Sequence, residues 1–518
     1  MKKKLSLVLC ICLCLSLFVG CGNSNKDELG GANKNAEKVE QAGSRELVFG
    51  NQTTIQSLDP HTEWNGWGEI RTGMGETLFR LNNDLQVEPW IAEGFENIDP
   101  LTWKIKLKEN VTFSNGEKVT AEKVVESLKR TGQMNERANI LADAKYTTEG
   151  EYKIIVKTNE PVAAFINTLC DPNTIIADVS GTSDFENAPV LTGPYKISEF
   201  EPKKLVVVVP NENYWNGEPQ LDKITEKYIQ DPSTMSMALQ SGEIDVAVNI
   251  TSDVTEVFKG NEEYKVEQLP TSRVFMVYFN PQNVPDVELR KAIAYGVDKK
   301  TIADDLLQGT LTPAKGPFPI GLEYGGADLD VPEYDIEKAK EILENAGYVD
   351  VNGDGIREKD GKPFTLNLMF YKRLALEQVA TELQAQLTEL GLDVNAQLGE
   401  TYEYLKGDEY DLGMYGCVTA AIGDSYDFLE KTWGSEGTSN FNHFKSDKVE
   451  ELLKEMKEEY DSKKRSEIAV QIQQEALNYY TNLFVGHVNV NIVSNSKVKD
   501  LRITPLEYVL IDEHTTIE

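Results

Sequence analysis

Past residue 21 the chain carries only two cysteines, Cys170 and Cys417. Two thiols cannot frame a disulfide scaffold for a body this large, so the fold rests on its own core. Histidine is also sparse: His61, His443, His487 and His514 stand far apart, at no metal-ligating spacing. No Ser-His-Asp order, HExxH, glycine-rich phosphate loop or Cys-His pairing stands out, so the common hydrolytic and nucleotide-binding chemistries lack their parts. Positive charge is in deficit, with 52 Lys and Arg against 85 Asp and Glu, a net −33. Loss of the first twenty residues, which hold three lysines and no acid, makes this (52 − 3) − 85 = −36. Such a surface disfavours nucleic acid as a partner and favours solubility. Long apolar runs are absent except for one, at the amino terminus.

That run begins MKKKLSLVLCICLCLSLFVGCGNSN. Three lysines precede a nearly unbroken apolar stretch from Leu5 to Val19, which is short of the ~20 residues that span a bilayer comfortably. The pattern is that of a secretory signal peptide over residues 1–20. An uncleaved anchor helix is the competing reading, weakened because no second polar anchor encloses the run. Leu17-Phe18-Val19-Gly20-Cys21 resembles the lipobox of bacterial lipoproteins, with Phe18 in place of the usual aliphatic. The resemblance implies that Cys21 is acylated, each buried CH₂ adding about 0.8 kcal/mol to membrane attachment. Residues 21–45 then form a lipidated tether too polar to fold. Cys10, Cys12 and Cys14 are small apolar fillers of a discarded segment.

The body starts at Glu46-Leu47-Val48-Phe49-Gly50, and length alone suggests about three domain-sized units at ~150 residues each. In TWKIKLKENVTFSNGEKVTAEKVVESL, Trp103, Ile105 and Leu107 alternate with lysines as a half-buried strand. Ser114-Asn115-Gly116-Glu117 makes a turn. Thr120 caps a helix whose Val124, Val125 and Leu128 share a face. Further on, Asp335 caps a helix carrying Ile336, Ala339, Ile342, Leu343 and Ala346, stopped at Gly347. Phe364 to Phe370 alternate as a strand, Leu376 to Leu390 form a helical stripe stopped by Gly391, and Leu392 to Leu398 alternate again. This predicts a parallel βαβ unit, and Tyr410 to Tyr415 adds a strand, giving an α/β lobe.

The same stretches resemble the extracytoplasmic solute-binding proteins of ABC importers for oligopeptides, dipeptides and nickel. WKIKLKENVTFSNGEKVTAEKVVESL matches the signature of that family. SLDPH (57–61), LTGPYKI (191–197), NENYWNG (211–217), LQSGEIDV (239–246), LRKAIAYGVDKK (289–300) and YDIEKAKEILENAGY (334–348) follow in order. The resemblance implies a two-lobed α/β fold of the type II periplasmic-binding-protein kind with an extra inserted subdomain. Lobe one is expected over 46–79 and 193–281, the insertion over 80–192, lobe two over 282–485, with 486–518 returning to lobe one. It also implies a monomer that closes on a small molecule or peptide between its lobes and delivers it to a membrane permease, without a cofactor. A ligand-sensing surface lipoprotein and a cell-surface hydrolase are the alternatives.

Site residues follow from the resemblance to nickel-binding relatives. Arg137 in MNERANIL matches an arginine that contacts the bound chelate, and Tyr404 in YEYLKGDEYDLGM matches a tyrosine lining the same cavity. Trp64, Trp67 and Arg71 in WNGWGEIR belong to the loop rimming the cleft. Asn173, Tyr402 and Tyr415 complete the expected set. An arginine reads carboxylate bidentately and aromatics supply flat apolar walls. Peptide-binding relatives place an aspartate after a Gly-Trp pair where this chain has Ala421 and no tryptophan. Nickel-chelate relatives use a histidine where this chain has Gly437. Cys170 and Cys417 fall next to cleft segments, one from each lobe, so a disulfide or soft-metal lock competes with two small buried thiols. Finally, Asp350, Asn352 and Asp354 with Gly355 and Glu358 carry the oxygen spacing of a calcium loop, although Gly361 stands where the bidentate Glu belongs.

Overall fold

The computed structural model describes residues 44–518 apart from 374, 408 and 507–509. The expected signal peptide, Cys21 and the tether up to residue 43 lie outside the described residues. Arg45, expected to end the tether, is already docked: its backbone N–H and guanidinium both donate to the Asp222 carboxylate at 2.9 Å. No helix among the described residues is long and apolar enough to cross a membrane.

The short-range pattern reads true. Strand Thr102–Leu107 buries Trp103, Ile105 and Leu107 and turns its lysines outward, Lys104 pairing with Glu149. Gly116 adopts φ +85° in the following turn, where the Phe113 N–H donates to the Glu117 carbonyl. The Thr120 hydroxyl accepts from the Lys123 N–H and starts helix Ala121–Met134. Asp335 does the same for helix Ile336–Asn345 through the Lys338 N–H. Strands Leu366–Tyr371 and Val394–Gly399 pair in parallel around helix Leu376–Glu389, as a βαβ unit must. Two boundaries differ. Phe364 lies outside its strand and packs edge-on against Tyr348, and the next strand is Leu412–Val418, with Tyr410 buried just before it.

Among the described residues, eleven strands form one mixed sheet. Its two halves share two long antiparallel strands, Tyr264–Phe279 and Asn482–Asn495. The 264–270 end lies against 489–495, beside the strands Val246–Val248 and Glu46–Asn51. The 274–279 end lies against 482–487, beside Leu412–Val418. Between Pro270 and Val274 the register slips. Proline has no N–H to give a ladder, so the pairing weakens where the chain leaves one half for the other.

Three large apolar cores flank this sheet. One packs residues 47–248 with 490–511, and a second packs residues 275–485. The third joins residues 78–176 to the opposite face of the second half, through Val274, Met276, Tyr278, Phe428 and Trp433. The structure is thus a two-lobed α/β fold in which segment 78–176 packs against the far lobe.

Two buried knots of polar contacts fix the segment 57–76. Asp59 of SLDPH takes a bidentate pair of hydrogen bonds from Arg130, at 2.7 and 2.6 Å. His61 accepts from Arg130 at 2.8 Å and donates to the Ile175 carbonyl at 2.9 Å, and burial draws its pKa down to about 4. The second knot is Glu76, which accepts from Trp90 Nε1, Tyr214 Oη and Trp215 Nε1 at 2.8, 2.9 and 3.0 Å. Family phrases SLDPH and NENYWNG therefore specify architecture.

Arg130→Ala leaves the Asp59 carboxylate buried and unpaired, and is expected to lower stability by about 3 kcal/mol in urea unfolding. Burial raises the Glu76 carboxyl from 4.5 to about 7 in the folded protein. Between those values the folded chain holds a proton that the unfolded chain has released, so stability falls as pH rises through that window. Glu76→Gln is expected to flatten that slope in thermal melts run from pH 4.5 to 7.5.

Candidate functional site

The stretch expected as a rimming loop is a helix, Asn65–Arg71. It packs so closely on the turn Pro172–Thr174 that a Cβ at Gly66 would fall on the Pro172 carbonyl. This brings four of the expected residues together. Arg137 stacks over the Trp64 ring at 3.6 Å and pairs with Asp171 at 3.2 Å, and Trp64 meets Trp67 edge-on at 5.5 Å. Asn173 follows Asp171, which accepts its N–H at 2.9 Å. Trp64 is 55% exposed, whereas Asn173 is buried and neither of its amide atoms has a hydrogen-bond partner among the described residues. Burial pushes the Asp171 carboxyl up, opposed by Arg137.

Tyr402 and Tyr415 form a second aromatic group with Tyr371: Tyr402 meets Tyr415 at 5.2 Å and Tyr371 at 6.1 Å, both edge-on. Trp67, Tyr415 and Cys417 pack against the same apolar core. Two expected residues are turned elsewhere. Arg71 is buried beside Glu226 at 4.0 Å inside the first lobe, under the helix instead of at its rim. Tyr404 commits its hydroxyl to the Met369 and Met414 carbonyls, so it props strands 366–371 and 412–418. In both cases the polar end serves the fold, where burial makes a partner obligatory.

Beside the shared strands lies a cavity of about 210 Å³ that takes its wall from both halves of the molecule. Gln52, Thr53, Asn249 and Thr251 come from the first lobe, and Arg373, Ala375 and Gln378 from the second. Arg273 stands on the strand between them. Phe275, Leu307, Leu311 and Val488 add an apolar face. Among the described residues, Arg273 and Arg373 are the only ionisable side chains that line it. Ala375 is the N-cap of the 14-residue helix Leu376–Glu389, adopts φ +64° and supplies no side-chain cap. The positive dipole end of the helix therefore lies beside the cavity. Gln52 Nε2 and the Thr251 hydroxyl are buried there without a partner among the described residues. Two guanidiniums, a helix N-terminus and two open polar groups favour an anion, above all a carboxylate. Composition and spacing gave no signal for this pair, because the arginines lie 100 residues apart.

The remaining candidates stay separate. Cys170 and Cys417 are free thiols held neutral by burial, Cys417 being pushed up to about 12. His61 and His487 are buried while His443 and His514 are exposed. In the Asp350 loop the oxygens already accept backbone N–H groups: Asp350 from Gly353 and Gly355, Asn352 from Asp354, Asp354 from Ile356 and Glu358 from Val351. No group of three or more His, Cys, Asp or Glu able to hold a metal occurs among the described residues.

Comparison with known proteins places this geometry in context. Residues 86–440 match the profile of the bacterial extracellular solute-binding proteins, family 5, middle region. The chain is 27% identical to the nickel-binding protein NikA of Staphylococcus aureus over 453 residues, 87% of this chain and 90% of that protein. It is 26% identical to the oligopeptide-binding protein AppA of Bacillus subtilis over 511 residues, 93% of this chain and 92% of that one. The crystal structure of a nickel ABC transporter protein from Bacillus halodurans superposes with a TM-score of 0.81 at 28% identity. That match covers 92% of this chain and all of the other.

Because the Asp350 loop spends its oxygens on its own backbone, the melting temperature is expected to be the same in calcium and in EDTA. A calcium-dependent rise in a thermal melt would mean that the loop reorganises around the ion.

Proposed function

Since the chain belongs to family 5 of the bacterial extracellular solute-binding proteins, we propose that it is the substrate-binding component of an ABC importer, taking a nickel complex or a peptide. The ligand is a short peptide or small metal-organic chelate that presents a carboxylate to Arg273 and Arg373 in the cleft. Lobe one comprises 46–79, 193–281 and the returning 486–518, lobe two comprises 282–485, and 80–192 is the inserted subdomain. The lobes close on the ligand about the shared strands, since a ligand that touches both favours the closed state by its differential affinity. Acylated at Cys21 and tethered by the following residues, a monomer so anchored works on the outer face of the cell membrane. It hands its cargo to the permease, with no cofactor and no chemical step of its own. The aromatic groups around Trp64 and Tyr415, with Arg137 and Asn173, form the remaining wall.

One observation carries this reading. In a chain of net charge −33 the cavity between the lobes has arginine as its only ionisable lining among the described residues. Its fit to a carboxylate agrees with relatives named for nickel and for oligopeptides.

Arg373→Ala is expected to weaken binding of a dipeptide or of nickel with L-histidine by roughly tenfold to a hundredfold, the worth of a hydrogen bond to a charged group. Arg373→Lys should recover part of it, since a point charge cannot match a fork. Isothermal titration calorimetry reads the affinity, and a thermal melt of the unliganded variant shows whether the fold is intact. Unchanged affinity would remove the cavity from the site.

A further inference from the structure

Segment 78–176 meets residues 420–460 at a seam that contributes no residue to the arginine cavity. In one contact the Ile422 carbonyl accepts from Asn167 Nδ2 at 3.0 Å. Gly423, at φ +71°, lies so close to the turn after strand Phe79–Leu81 that a Cβ would fall on the Leu85 carbonyl and the Leu81 side chain. Ala420, Leu81 and Leu85 are buried in the core that both segments share. A second contact involves the end of helix Asp447–Glu458 and its link to helix Ser462–Asn478. There the Tyr460 hydroxyl donates to the Pro100 carbonyl at 2.8 Å while its ring lies 5.8 Å from Trp103, and Lys457 pairs with Glu160 at 2.7 Å.

This seam can part without breaking a strand pairing. Among the described residues, the strands of segment 78–176 form small sheets of their own, and none of them pairs with the eleven-stranded sheet. The polar links across the seam are, among the described residues, two hydrogen bonds and one solvent-exposed ion pair. Contacts made only when two bodies meet favour that state whatever lies between them, a ligand or nothing. Where only the closed state binds, the apparent affinity is the intrinsic one multiplied by the closed fraction. A hydrogen bond is worth roughly fivefold in such an equilibrium, and an exposed ion pair little.

We propose that this seam is a latch for the closed state: Asn167 and Tyr460 hold the inserted subdomain against the second lobe, raise the closed fraction of the unliganded protein, and so strengthen binding of every ligand by one common factor. Both are positioning residues, since neither lines the cavity. Gly423 lets the seam form, because any side chain there would meet the Leu85 carbonyl. The latch rests on the proposed solute-binding role and adds a ligand-independent control over the same site.

The test combines calorimetry with small-angle X-ray scattering on the purified full chain, as wild type, Asn167→Ala, Tyr460→Phe and the double variant. Every probe that the wild type binds, among dialanine, tetra-alanine and nickel with L-histidine, is expected to bind each single variant more weakly by the same factor, roughly fivefold. The double variant should lose about the product of the two. Its radius of gyration without ligand is expected to exceed that of the unliganded wild type, and at saturation to return to the wild-type liganded value. Tyr460→Phe keeps the ring against Trp103 and removes only the hydroxyl, and a thermal melt of each variant reports whether the fold is intact. Unchanged affinities and radius, or a factor that differs between probes, overturn the latch and leave the solute-binding reading standing. A wild type that binds none of the probes overturns the solute-binding reading, and the latch falls with it.

Discussion

Two long strands, Tyr264–Phe279 and Asn482–Asn495, belong to both halves of the molecule at once, and everything else is arranged around that constraint. A strand that pairs continuously through two lobes would weld them into one body. Here the ladder slips between Pro270 and Val274, where a proline withholds its N–H and three residues, Thr271 to Arg273, stand opposite Val488 alone. The cavity with the two arginines lies beside this slip, with walls from the first lobe, the second lobe and the shared strands themselves. Backbone pairing between the two shared strands is thus interrupted next to the cavity.

Buried charge does the complementary work of making each segment rigid. The Asp59–Arg130–His61 knot ties the loop after strand Glu46–Asn51 to helix Ala121–Met134, and Glu76 gathers the three aromatic donors Trp90, Tyr214 and Trp215. Glu69 lies on the same helix as Trp64 and Trp67, wholly buried and without a hydrogen-bond partner among the described residues, and burial holds its carboxyl well above the usual range. The same burial raises the Glu226 carboxyl, which Arg71 opposes.

Local structure was legible in the sequence wherever it obeyed a short period or a cap. Trp103-Ile105-Leu107, the Thr120 cap and the 366–399 βαβ unit all formed as their alternation required, because the forces that set them act within a few residues. Phrase matches identified the family but not the task of each residue. SLDPH and NENYWNG turned out to be structural knots, and Arg71 and Tyr404, read as ligand contacts, point their polar ends into backbone and buried acid. The direction of a single side chain depends on what packs above it, which no local pattern records. Arg273 and Arg373 escaped notice for the same reason: only the strand order 366–371, 412–418, 264–279 brings them to one cavity. Arg137, Trp64, Trp67 and Asn173 lie together because two segments far apart in sequence meet where the helix Asn65–Arg71 is seated on Pro172.

In the proposed function, ligand draws the two lobes together about the slipped strands. Met237 on the first lobe and Leu398 on the second are both exposed and suit spin labels. Pulsed electron-electron distance measurement between labelled cysteines at these positions, in a chain otherwise free of Cys170 and Cys417, reads closure directly. With a dipeptide at saturation, its binding followed calorimetrically in the same sample, the distance distribution should narrow and shift from that of the unliganded protein. A distribution that is the same with and without bound ligand would contradict the account.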